Sequence, residues 1–149
     1  MTDITIGIDI SKATLDVCRV PGGDTRQFTN NKPGLTALLH WISAQGPVPA
    51  RIVFEATGAY HRLLERRLAE AHLPVVKVNP RQARRFAQAI GRLAKTDRLD
   101  AALLARMGEC LVLEPRPVHS VALSDLKELL ICRQALVKDR AAARNRGKP

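Results

Sequence analysis

Aromatic side chains are scarce in this chain, with three Phe, one Trp and one Tyr among 149 residues. Binding single strands by stacking successive bases needs a platform of such rings, so stacking is not the main mode of recognition here. No apolar run approaches the roughly 20 residues that span a bilayer, and no membrane partner is expected. The opening residues, MTDITIG, carry no basic leader ahead of an apolar segment, so no signal peptide is expected either. Cysteine is limited to Cys18, Cys110 and Cys132, an odd number, far apart and without metal-type spacing. They read as reduced, mostly buried thiols of a cytoplasmic protein. The phosphate-cradling loops GxxxxGKS/T and GxGxxG are missing. The four histidines (His40, His61, His72 and His119) show no ligand spacing. His61 and His72, near the two ends of one helix, read as surface groups. Ser11 has no His/Asp pairing that would make a hydrolase triad.

Positive charge is abundant. Lys and Arg outnumber Asp and Glu by 24 to 14, a net charge of +10, which favours an anionic polymer as partner. The length suits one well-buried core and is short for two domains of usual size.

The segment Ile4–Lys12 (ITIGIDISK) reads as a buried strand with Asp9 inside it or at its end. An ionised carboxylate in such a place is costly unless it is paired. Fraying of the strand at Asp9, or a capped turn into Ser11, would also accommodate it. Ala13–Val20 is a second strand, Pro21–Asp24 a turn and Thr25–Thr29 a third strand, which makes an antiparallel meander. Leu35, Leu38, Leu39 and Ile42 recur at helical spacing. Arg51–Thr57 is another buried strand with an acid, Glu55, near its end. A helix over Tyr60–Leu73 and a short strand over Pro74–Asn79 follow. Strands alternating with helices after a meander indicate an α/β fold with a mixed five-stranded sheet flanked by helices.

From Pro80 the chain turns basic. Arg81, Arg84, Arg85, Arg92, Lys95 and Arg98 are interrupted by one acid, Asp97. Arg81, Arg84, Arg85 and Gln88 share a helical face, which is either a solvated surface or a phosphate-binding strip. Asp97 and Asp100, three residues apart, open an Ala/Leu-rich helix running through Met107. On one helical face they would complement the dipole, balance nearby arginines, or act together. Residues 113–121, which contain Pro115 and Pro117, are a linker. Ala122–Ala143 returns to helix with Leu123, Leu126, Leu130 and Val137 on a stripe, and the basic tail Arg140–Pro149 is expected to be disordered at its end.

Asp9, Glu55, Asp97 and Asp100 therefore stand out by context. If strands one and four lie side by side, Asp9 and Glu55 become neighbours, and clustered like charges need a cation or raised pKa values. All-oxygen ligation suits Mg²⁺ or Mn²⁺.

Together GIDISK at 7–12, FEATGAYH at 54–61, VNPRQARRFAQAIG at 78–91 and KTDRLDAALLA at 95–105 resemble the DEDD transposases of bacterial insertion sequences. That family also includes the Piv-type DNA invertases. The resemblance implies a RuvC-like, RNase H-type domain over residues 1–112, with Asp9, Glu55, Asp97 and Asp100 as catalytic, metal-binding carboxylates. It implies a coiled-coil helix that mediates homo-oligomerisation, here residues 122–149. Family members act on DNA, are guided by a structured RNA, and carry a catalytic serine in a further domain absent from these residues. The chain thus resembles a fragment expected to be inactive without that domain. Lys12, Arg81, Arg84, Arg85, Arg92, Lys95 and Arg98 are the candidate nucleic-acid contacts.

Two other readings compete. GIDISK before a hairpin also resembles the first phosphate loop of actin-like and sugar-kinase ATPases, but a second phosphate loop and an adenosine site are lacking. A non-catalytic nucleic-acid-binding and dimerisation module would use the basic helix alone.

Overall fold

Alternation in the first strand sorts its side chains onto two faces. Ile6 and Ile8 are buried on one, while Gly7 and Asp9 lie on the other. The computed structural model describes residues 3–56, 58–92, 100–116 and 121–146. It divides into two units, Met1–Val118 and His119–Pro149.

In the first unit β1 (Thr5–Ile10), β2 (Thr14–Val20) and β3 (Asp24–Thr29) form the expected antiparallel meander. Helix α1 (Lys32–Ala44) follows, with Pro33 in its first turn and Asn31 as its cap, the Asn31 side chain accepting from Gly34 N. Then come β4 (Arg51–Glu55), α2 (Arg62–Glu70), β5 (Val75–Val78), α3 (Pro80–Ala89) and α4 (Ala101–Cys110). Strand order is β3-β2-β1-β4-β5, with β1–β4 and β4–β5 parallel. This is the mixed α/β sheet expected from the strand and helix order.

Each face of the sheet is covered. Ile6, Ile8, Leu15, Val17, Ile52 and Phe54 pack with Leu35, Leu38 and Trp41 of α1 and Leu64 and Leu68 of α2. Burying each such side chain stabilises by about 1.5–3 kcal/mol. On the opposite face Val53, Val76 and Val78 meet Ala83 of α3 and Leu104 and Met107 of α4. Arg51 fastens the far end of α4, its Nη1 donating to the Gly108 carbonyl at 2.5 Å. A cation at a helix C-terminus also complements the dipole.

Several boundaries differ from expectation. Helix α2 begins at Arg62 rather than Tyr60 and ends at Glu70, because Ala71 and His72 form the closing turn, with His72 at φ +54°. Of the expected linker, Leu113 packs against the second core cluster and Arg116 N donates to Val75 O at 3.1 Å, so 113–116 line the β5 edge. Among the cysteines only Cys18 is buried; Cys110 and Cys132 are exposed, because the helices carrying them turn those positions outward.

The second unit contains α5 (Val121–Arg146), which runs past the expected end at Ala143 and through most of the basic tail. Leu123, Leu126, Leu130 and Val137 are all exposed on it. No helix among the described residues is long and apolar enough to cross a membrane.

Candidate metal centre and nucleic-acid interface

The parallel register pairs Ile8 with Phe54, so one residue further Asp9 comes beside Glu55. Both project from the face covered by α3 and α4, since their neighbours Ile8 and Phe54 fill the core on the other. Asp9 is the penultimate residue of β1 and Glu55 the last of β4. The carboxyl ends of two adjacent parallel strands thus carry adjacent acids, both half-buried.

Across the other edge of β1 the antiparallel register sets Asp9 opposite Asp16, and Asp16 opposite Gln27. Gln27 Nε2 donates to Asp16 Oδ1 at 2.7 Å. One row of one face therefore reads Gln27, Asp16, Asp9, Glu55. Sequence reasoning missed Asp16. The signal was present: a tight turn at Lys12-Ala13 sets residues equally distant on either side opposite each other.

Helix α4 crosses this face directly above β1. Gly7 makes that possible, because a Cβ there would stand under 3.0 Å from both Ala101 O and Ala105 N. The N-terminus of α4 is thereby set towards the acidic end of β1. Asp100 stands at the start of the helix, as expected from sequence, but as its N-cap in extended conformation and not on a helical face, with Oδ1 accepting from Leu103 N at 2.6 Å. Aspartate bonds so readily to the N–H groups of a first turn that it favours the cap over the helix interior. Asp100 and Ala101 line an open cleft of about 390 Å³ with Asp16, Cys18, Thr25 and Gln27. The thiol of Cys18 is pushed up by burial first and by the negative charge of Asp100 second. Asp97 lies outside the described residues.

The donor set is carboxylate oxygen throughout, which fits a hard divalent ion and not zinc. Among the described residues, no three of His, Cys, Asp or Glu stand close enough together to hold a metal. Of the four carboxylates expected from the sequence, Asp9, Glu55 and Asp100 are described and could contribute to such a centre.

The candidate nucleic-acid contacts divide as follows. Lys12 is exposed at the tip of the β1–β2 hairpin. Arg81, Arg84 and Arg85 are exposed on α3, whose inward face is Ala83 and Ala87. The first turn of α3 starts two residues beyond Val78, the register partner of Glu55, so Arg81 enters at the acidic end of the sheet. Arg92 is exposed beyond the helix, and Lys95 and Arg98 lie outside the described residues.

His61 is not the surface group expected. Its side chain is 13% exposed, its Nε2 is 3.6 Å from Glu65 Oε2, and its ring is 6.1 Å from that of Phe54. Burial is the main cause that lowers its pKa; the negative charge of Glu65 opposes this, and the positive charge of Lys77, whose Nζ is 2.7 Å from Glu65 Oε1, adds to the lowering.

A half-buried pair of acids thus stands at the carboxyl ends of adjacent parallel strands of a mixed sheet. The DEDD transposase family of the IS110 type matches residues 6–148, and the chain belongs to it. Pilin gene-inverting proteins of Moraxella lacunata and Moraxella bovis are each 38% identical over 112 residues, covering 72% of this chain and 35% of their own. The chain therefore spans about a third of the length of these curated relatives. A solved structure, T. thermophilus RuvC in complex with Holliday junction substrate, is similar at 14% identity and TM-score 0.48, over 76% of this chain and 99% of that one.

Proposed function

We propose that the first unit is the metal-binding half of a cytoplasmic DNA transposase or recombinase that acts on phosphodiester bonds during insertion-sequence transposition. The observation that carries this reading is the parallel pairing of β1 with β4, which makes Asp9 and Glu55 neighbours at the acidic end of the sheet. Asp9 and Glu55 would hold Mg²⁺ or Mn²⁺ from the sheet, with Asp100 and Asp97 completing the set from the start of α4. Ions bound there would neutralise a scissile phosphate and stabilise its attacking and leaving oxygens. Arg81, Arg84, Arg85 and Arg92, with Lys12, Lys95 and Arg98, would hold the phosphates of target DNA and of a structured guide RNA. The exposed apolar residues of α5 would join copies of the chain.

Thermal melting tests the reading. Mn²⁺ binding to the native state raises the melting temperature by mass action, and Asp9→Asn abolishes that rise. A shift with ATP, and none with Mn²⁺, would instead support an ATPase half.

A second reading draws on the exposed arginines of α3 alone. A non-catalytic nucleic-acid-binding and dimerisation module would keep its affinity for DNA after loss of all four acids and would bind no metal.

A further inference from the structure

Asp9 and Glu55 sit at strand ends, where each chain leaves the sheet for a loop. Register within the sheet fixes their backbones up to that point, and beyond it the loops decide how well the ends are held. The two loops are joined through one side chain. Asn30, half-buried after β3, donates from Nδ2 to the Ser11 carbonyl at 2.8 Å and to the Tyr60 carbonyl at 3.2 Å. Ser11 is two residues beyond Asp9, and Tyr60 lies in the loop between Glu55 and α2. The backbone of Asn30 adds a third tie, its N–H donating to Ala13 O at 2.8 Å.

Chemistry at this position is restrictive. Both acceptors are carbonyl oxygens, so serving both takes a group with at least two donor hydrogens, which an uncharged amide NH₂ supplies. The Ser11 loop is already closed on itself, with Ser11 Oγ 3.0 Å from Thr14 O and accepting from Thr14 N at 2.9 Å. Asn30 therefore grips a preformed turn and not a loose strand end. Neighbouring Asn31 differs in kind: its side chain accepts from Gly34 N and caps α1.

We propose that Asn30 is a positioning residue for the carboxylate pair, clamping the loop after Asp9 to the loop after Glu55. The inference rests on the metal-binding reading for its consequence, but the clamp itself has an independent readout. Residues that hydrogen-bond metal ligands directly typically alter metal affinity by about ten- to a hundredfold when removed, and Asn30, one step further out, belongs at the low end of that range.

The test compares Asn30→Ala with Asn31→Ala in the full chain by amide hydrogen exchange and by Mn²⁺ titration. Asn30→Ala should speed exchange in both segments, residues 11–14 and 58–62, and weaken Mn²⁺ binding about tenfold. Asn31→Ala should speed exchange only at the start of α1 and leave the Mn²⁺ affinity as in the parent. Should Asn30→Ala not fold, Asn30→Ser, which keeps one donor on a shorter arm, takes its place with the same expectations. If the parent binds no Mn²⁺, the metal reading fails and exchange alone decides the clamp. Faster exchange in one loop only, or in neither, overturns the proposal. So does an unchanged Mn²⁺ affinity in a chain that binds the ion.

Discussion

Gly7 lies so close beneath Ala105 that a Cβ on the glycine would stand under 3.0 Å from the Ala105 nitrogen. The same Cβ would crowd the Ala101 carbonyl oxygen as severely, and both obstacles are backbone. Gly7→Ala must therefore lift α4 from β1. Overpacking of this kind costs about 1–3 kcal/mol, measured as a loss of stability in urea. Because Asp100 caps that helix, the variant should also weaken divalent-ion binding.

Thr5 presents the opposite case. It is a fully buried residue of β1 that lies against Gly108 of α4, and its Oγ1 has no hydrogen-bond partner among the described residues. Thr5→Val keeps the shape and removes an unsatisfied hydroxyl, so it should be neutral or stabilise by about 1 kcal/mol. Chemical denaturation of the two proteins side by side checks this.

His61 makes stability depend on pH. Burial lowers its pKa below the ordinary 6.5, so below that value the unfolded chain takes up a proton more readily than the folded one. Its contribution is complete above pH 6.5 and is lost as pH falls through the lowered folded value. His61→Gln should flatten the fall in melting temperature that sets in as pH drops below 6.5. An equally steep fall in the variant would assign the dependence to other groups.

The fold is legible in the sequence because its signals are local. The meander follows from turn residues between β-branched runs, and the covered faces follow from alternation in TIGIDI and RIVFE. Glu55 and Asp9 stand out for the same reason, as acids ending apolar runs. What escapes depends on pairing across the sequence. Asp16 joins the acidic row only through the β1–β2 register. Asn30 gains its place only because β1 and β4 are neighbours, although a meander and a helix separate them along the chain. Spacing alone puts Asp100 on a helical face, but capping its own helix holds it in extended conformation. His61 reads as a surface group because nothing in the sequence shows that Phe54, Glu65 and Lys77 surround it.

The exposed arginines of α3 lead to a prediction about salt. Binding of duplex DNA should weaken linearly on a log–log plot against salt concentration. Substituting Arg84 and Arg85 together by Ala should lower that slope by about 2, roughly 1 for each phosphate no longer neutralised. Binding insensitive to salt would contradict phosphate recognition by this helix.

The central claim is that Asp9 and Glu55 hold a divalent ion, and calorimetric titration of Mn²⁺ into the parent chain, Asp9→Asn and Glu55→Gln tests it most directly. The parent should show saturable binding, and each variant, folded by circular dichroism, should show none. Equal Mn²⁺ affinity in the parent and in Asp9→Asn would contradict the account.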